Sequence, residues 1–359
     1  MGQTLSEPIT TKSTTSGNDK RVMYGASAMQ GWRITMEDAH TTIPEYTDTG
    51  ASFFAVFDGH GGSNVAKYSG EHLQDRVLDS DDFRQGKIRE ALKAGYLGID
   101  EDLRKDPQYE HETSGCTAVV ALLTKDNILY VGNAGDSRAV ISANGKAIAL
   151  SQDHKPTNAK ETARIEKAGG HVEAGRVNGN LALSRALGDF EFKQNDSLPA
   201  EEQAVTANPD VTDHKLTKND EFIIVACDGI WDCLTNQEAV NFVRKGLSNK
   251  KTLATICEEM MDECLADESD LGGVGCDNMT VIIVAFLHDM TPEEWYDSMA
   301  GKFVKTGAVV ARDLEEPEPK KPRGMKSESK EYTVEELRNA GDLTSSLDAD
   351  KETAAKDAK

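Results

Sequence analysis

Short apolar runs recur between Arg21 and about Leu287: ASFFAVF, TAVVALL, NILYVGNA, RAVIS, EFIIVAC and NMTVIIVAFL. They are rich in β-branched residues and bounded by turn residues, which predicts buried strands. Between them the apolar positions follow a helical period, as with Val65, Tyr68, Leu73 and Val77. That spacing predicts amphipathic helices over 63–78, 87–104, 158–168, 236–247 and 251–266. The Asp126-Asn127 and Asn144-Gly145 pairs sit between consecutive strands as hairpin signals, so the middle of the chain reads as an antiparallel meander. Long helices between blocks of antiparallel strands give an α+β fold, with sheets covered by helices.

Both ends read differently. Residues 7–20 (EPITTKSTTSGNDK) are polar and Ser/Thr-rich, and are expected to form part of a flexible leader spanning 1–20. A helical extension is expected over 291–312, its helix near 291–300. Residues 313–359 hold 13 acidic and 9 basic residues with few large apolar ones, which predicts a disordered charged tail.

The formal charge is −22. Most of that excess lies outside the tail, in the part expected to fold. An acidic field without a basic stripe argues against nucleic-acid binding and raises the question of what cation the chain attracts. Six cysteines are scattered without a Cys-x-x-Cys, which argues against a disulfide framework and a thiolate zinc site and for a reducing compartment, cytoplasm or nucleus. No stretch approaches the roughly 20 apolar residues of a membrane-spanning helix, so a soluble protein is expected.

Four strand ends carry carboxylates: AVFDGHGG (Asp58), YVGNAGDSR (Asp136), IIVACDGIWD (Asp228, Asp232) and GVGCDNMTVIIV (Asp277). Each alone is better explained by turn chemistry, since Asp-Gly and Gly-Asp-Ser are common turn sequences. Together they would repel one another and raise each other's pKa unless a cation neutralised them. Oxygen-only ligation favours Mg²⁺ or Mn²⁺ over Zn²⁺. In GWRITMEDA, an extended backbone would set Arg33, Thr35 and Glu37 on one face and turn Asp38 elsewhere. A guanidinium beside metal-binding carboxylates suits an anionic ligand such as phosphate, although an ordinary surface ion pair explains the stretch as well.

The ordered segments RITMEDAH, FDGHGG, SGCTA, GDSRAV, DHKP, LALSRALGD, CDGIWD and DNMTVIIV resemble those of the metal-dependent Ser/Thr protein phosphatases of type 2C, the PPM family, most of all its fungal members. The resemblance runs from residue 22 to about 290, and Cys116 departs from the Ser that is commoner there. It implies an α-β-β-α sandwich of two antiparallel sheets flanked by helices, with a two-metal centre at one end. It further implies that Asp58 bridges two ions, with the Gly59 carbonyl and Glu37 on one and Asp228 and Asp277 on the other. Asp136 and Asp232, with Asp228, resemble a weaker third site. Arg33 resembles the phosphate-binding residue and His60 the general acid, while Asp38 would orient metal waters.

The activity so implied is hydrolysis of phosphoserine and phosphothreonine by metal-activated water. Substrates would be phosphoproteins of signalling or stress pathways, MAP kinases among them, met by a monomeric enzyme. A catalytically inactive phosphoprotein-binding module of the same fold is the alternative, though it would be expected to lack one or more of these ligands. A metal nuclease fits the carboxylates but not the acidic field. Residues 156–212 occupy the place of the family's variable flap. MGQTLS fits the pattern for myristoylation of Gly2, and a single chain without a polybasic partner gives only transient membrane contact.

Overall fold

The computed structural model describes residues 4–269 and 273–310, with side chains as far as Lys302. The chain opens with strands β1 (Thr4–Asn18), β2 (Val22–Arg33), β3 (Ala39–Tyr46), β4 (Ala51–Phe57) and the two-residue β5 (Gly59–His60). Helices α1 (Asn64–Leu78), α2 (Asp81–Arg84) and α3 (Ile88–Lys105) follow. Then come β6 (Gly115–Cys116), β7 (Ala118–Leu123), β8 (Ile128–Ala134), β9 (Arg138–Ala143) and β10 (Lys146–Ala149). The next stretch holds α4 (Ala159–Lys167), β11 (Val172–Glu173), β12 (Arg176–Val177) and β13 (Leu187–Gly188). The last part comprises β14 (Asp210–Lys215), β15 (Asp220–Ala226), α5 (Asp228–Trp231), α6 (Asn236–Ser248), α7 (Leu253–Cys264), β16 (Met279–Phe286) and α8 (Pro292–Val310).

Two antiparallel sheets form the centre, one ordered β1-β2-β16-β15-β9-β10 and the other β14-β8-β7-β4-β3. Alternate residues of each strand point between them: Ile282 and Val284 of β16, Ile223 and Val225 of β15, Phe54 and Val56 of β4, Val119 and Ala121 of β7. The intervening residues face outward but are covered too. Val281 and Ile283 pack under α6, α7 and Trp295 of α8, and Phe53, Ala55 and Phe57 pack under α1 and α3. The layers are therefore helix, sheet, sheet, helix. Burial on both faces explains why β4 and β16 read as continuous apolar runs rather than alternating ones. Truncating a fully buried side chain here, as in Ile283→Ala, should cost about 2–5 kcal/mol.

The structure revises three expectations. Residues 4–18 are not a free leader but an edge strand, in register with β2 from Lys12↔Met29 to Asn18↔Met23. Thr14 bonds Ser27 of β2 at 2.9 Å and donates to Glu258 of α7 at 2.6 Å, and Lys12 pairs with Asp262 at 2.6 Å. The middle of the chain is not one meander: β7-β8 and β9-β10 are hairpins, but β8 and β9 belong to different sheets, so the chain crosses the sandwich at Gly135–Ser137. Residues 32–38 are not extended throughout, because β2 ends at Arg33 and a bend follows. Gly2 and the tail over 313–359 lie outside the described residues.

Candidate metal centre and catalytic cleft

Antiparallel pairing brings strand ends that are far apart in sequence to one end of the sandwich. Ala39 faces Phe57, Ala118 faces Ala134, and Ala226 lies between Arg138 and Val281. Asp58 follows β4, Asp136 follows β8, Asp228 opens α5 directly after β15, Asp232 ends α5, and Asp277 and Asn278 precede β16. Carboxylate oxygens of Asp58, Asp136 and Asp228 all lie within 4.8 Å of one another, and Asp38, Asp58 and the Cys227 sulfur form a second such group.

The positions are held by backbone and buried polar contacts. The amide of Thr117 donates to the Asp58 carbonyl at 2.9 Å, and the Thr117 hydroxyl bonds Ser137 at 2.7 Å, which ties the first two carboxylate turns together. Asn278 accepts from the Glu37 amide at 2.9 Å and donates to the carbonyls of Gln30 and Thr35, fixing the bend after β2. Gly59 is required by close approach, because a Cβ there would lie 2.2 Å from the Glu37 carbonyl oxygen. The amide of Gly62, at φ +136°, donates to Glu37 Oε2 at 3.2 Å.

The electrostatics are those of an acid cluster short of positive charge. Burial, then the neighbouring Asp228, Asp38, Asp136 and Asp277, push the Asp58 carboxyl well above its ordinary value. Burial and then Asp136, Asp277 and Asp232 do the same to Asp228. Asp38 is raised to about 7, chiefly by burial, against a 2.7 Å hydrogen bond from the Thr280 hydroxyl. Among the described residues its other oxygen, Oδ1, is buried with no hydrogen-bond partner. Cationic side chains also reach this end. Arg33 pairs with Asp277 at 2.5 Å, and Lys155 pairs with Asp136.

These residues fit hard divalent cations. The donors are carboxylate oxygens crowded enough to raise their own pKa values, and an orphaned buried oxygen points to a further partner. Cys227 does not change that reading. Burial and then the adjacent Asp38 and Asp58 push its thiol far up, so it stays protonated, and its sulfur accepts from the Thr280 amide at 3.1 Å.

His60 stands at the side of the cluster, and its Nε2 lies 2.7 Å from Asp189 Oδ2. Burial lowers its pKa, but the Asp189 hydrogen bond and charge, with Asp136 and Glu37, raise it by more, so the net shift is upward. Arg33, Glu37, Asp38, Asp58, Gly59, His60, Asp136, Asp228, Asp232 and Asp277 thus all lie at this end. Glu37, Asp232 and Asp277 border the two tight groups without joining them. Asp189, Lys155, Asn278 and Thr280 were not singled out from sequence. Asn278 is adjacent to a recognised carboxylate, and Lys155 and Asp189 lie in the segments DHKP and LALSRALGD, which were recognised without a role for either residue.

A family model described as protein phosphatase 2C matches residues 22–270. The chain belongs to the protein phosphatase 2C family. It is similar to the protein phosphatase 2C homolog 2 of Hypocrea jecorina, 55% identical over 309 residues that cover 84% of this chain and 70% of that one. It is also 52% identical to the protein of the same name in Schizosaccharomyces pombe, over 83% of this chain and 82% of that one. A solved phosphatase from Toxoplasma gondii superposes with a TM-score of 0.67 at 27% identity, covering 77% of this chain and 96% of the other. The protein is accordingly a metal-dependent protein Ser/Thr phosphatase, a hydrolase acting on phosphoproteins, and nothing among its neighbours favours the inactive module.

Proposed function

We propose that this phosphatase uses Mg²⁺ or Mn²⁺, two ions with a weaker third, held by the cleft carboxylates, and that the close group of Asp58, Asp136 and Asp228 is the observation that carries the reading. In this assignment Asp58, the Gly59 carbonyl and Glu37 would hold one ion, Asp58, Asp228 and Asp277 would hold the other, and Asp136, Asp228 and Asp232 would hold the third. Bound divalent ions lower the pKa of water and neutralise phosphoryl charge. Arg33, 43% exposed in its side chain, is available to bind two phosphate oxygens while it remains against Asp277. Asp38 accepts a hydrogen bond from Thr280 through one oxygen and orients water through the other. Against the effect of burial, the Asp189 hydrogen bond and charge raise the affinity of His60 for a proton, which it gives to the departing Ser or Thr oxygen.

Incubation with a phosphothreonine peptide and Mn²⁺ tests the assignment, with turnover expected and lost on chelation. A protein that binds the peptide without turnover would be the inactive module. His60→Gln should lower turnover of a phosphoserine peptide by roughly 10²–10⁴-fold and of an aryl phosphate far less, because a phenolate leaves without a proton. Equal losses would remove His60 from the acid role.

Substrates are proposed to be signalling or stress-pathway phosphoproteins, MAP kinases included, on the strength of family likeness. Asp58→Asn or Asp228→Asn, used as a trap, would recover them from cell extract. Six cysteines without disulfides support a cytoplasmic and nuclear location, and the enzyme is taken to act as a monomer. Gly2 is proposed to carry myristate and to give weak, reversible membrane contact. Mass spectrometry of the N-terminal peptide decides that point, and an unmodified or acetylated Gly2 ends it.

A further inference from the structure

The short strands β5, β6 and β13 form a small sheet of their own beside the cleft, ordered β13-β6-β5. In its register Gly59 and Leu187 both face Cys116, while His60 and Gly188 both face Gly115. His60 and the residue after Gly188, which is Asp189, therefore sit on either side of Gly115. Their side chains meet across it at 2.7 Å. The missing side chain at position 115 makes the meeting possible, since a Cβ there would stand 2.2 Å from Asp189 Oδ2 and 2.7 Å from His60 Nε2.

Asp189 is itself held in place. Its backbone is left-handed at φ +49°, its amide donates to the Ser114 carbonyl, and its side chain is 5% exposed. The preceding Gly188 amide donates to Asp100 at 2.8 Å, and Asp100 pairs with the buried Lys193 at 2.5 Å. A buried carboxylate on a supported left-handed turn, aimed at one ring nitrogen, fixes the ring rather than decorating it.

We propose that Asp189 is a positioning residue for the reaction, anchoring His60 through Nε2 so that Nδ1 is the nitrogen presented to the leaving oxygen. This rests on the reading of His60 as the general acid. The proton then moves from Nδ1 of the imidazolium to the Ser or Thr oxygen as its bond to phosphorus breaks and the bond from the attacking water oxygen forms. The imidazole left behind is neutral and keeps Nε2–H on Asp189. Asp189 touches neither substrate nor reacting atoms.

Two substitutions respect the left-handed backbone: Asp189→Asn, which keeps the shape, and Asp189→Gly, which deletes the carboxylate. Measured as full-length protein with Mn²⁺, both should lose roughly 10- to 100-fold in kcat on a phosphoserine peptide, the scale on which outer partners of functional histidines count. KM should be little changed, the loss on an aryl phosphate should be much smaller, and thermal melting should report the fold retained. In the His60→Gln background Asp189→Asn should add almost nothing. If His60→Gln shows the leaving-group dependence and the Asp189 variants lose equally on both substrates, or the double loss is the product of the single losses, the positioning role is wrong while the acid role stands. If His60→Gln itself loses equally on both, the acid reading falls and this inference falls with it.

Discussion

Two regions of this molecule bury charge, and they do so in opposite ways. Within the flap segment 156–212, Glu161 is 2% exposed and is met by Arg185 at 2.7 Å, Arg164 at 2.6 Å and the Ser184 hydroxyl at 2.9 Å. Arg185 continues to Asp210 at 2.9 Å, and Asp210 lies 3.2 Å from His154. Burial opposes ionisation of Glu161, but the two guanidinium groups outweigh it and hold the carboxyl at about 2. In the cleft, Asp58 and Asp228 are half-buried, yet their strongest electrostatic neighbours are other carboxylates and their pKa values move the other way. Burial alone therefore does not decide what a carboxylate does. The flap network closes its charge within the chain and serves structure, whereas the cleft leaves its charge for a cation from outside.

Removing that cation should have the largest effect. EDTA is expected to bring hydrolysis of a phosphothreonine peptide to background, with recovery on adding Mg²⁺ or Mn²⁺. Asp58→Asn should cost at least about 10²-fold with metal present, the scale of one preorganised electrostatic group. Unchanged turnover in chelator would erase the contrast between the two regions.

The flap gives the next largest effect, read as stability. Glu161→Gln leaves Arg164 and Arg185 without their shared anion, which should destabilise the protein by about 3–5 kcal/mol in a denaturant melt. Chelator should not change that loss. A destabilisation below about 1 kcal/mol would show that the network is solvated rather than closed.

Acid separates the regions by sign. Glu161 has its folded pKa depressed to about 2 from an ordinary 4.5, so its contribution is complete above 4.5 and is lost as pH falls towards 2, about 3 kcal/mol in all. Asp38 has its folded pKa raised to about 7 from 3.8, so in metal-free protein its contribution is present below 3.8 and lost as pH rises through 7. Metal-free protein should therefore gain stability as pH drops from 8 to 5 and lose it below 4.5. Glu161→Gln should flatten only the lower limb.

What the sequence disclosed, and what it hid, follows from the range of each interaction. β4 and β16 were legible because burial on both faces demands an unbroken apolar run, and α3 and α6 because each buries one stripe. The crossover between β8 and β9 was not, since turn residues at 126–127 and 144–145 report local geometry and say nothing about which sheet the next strand joins. β1 was hidden by its polarity, although its threonines, at home on a pleated surface, were a signal. The cleft carboxylates stood out because each interrupts an apolar strand end. Asp189 did not, because its partner is 129 residues away and the pair meets only across Gly115.

The smallest effect is the most direct test of the central claim, that the cleft charge is uncompensated by the chain itself. Arg33 and Lys155 pair with Asp277 and Asp136, so the claim concerns the remaining charge, and its test is the melting temperature of Asp228→Asn against the parent protein, measured at pH 8 first in EDTA and then in Mn²⁺. Removing one of the crowded carboxylates relieves repulsion in the metal-free state, so in EDTA the variant should be the more stable. In Mn²⁺ the parent should gain stability, the variant should gain much less, and the order should reverse. A variant that melts below the parent in EDTA would mean that the chain already balances Asp228, and the account of the cleft as a site awaiting cations would be contradicted.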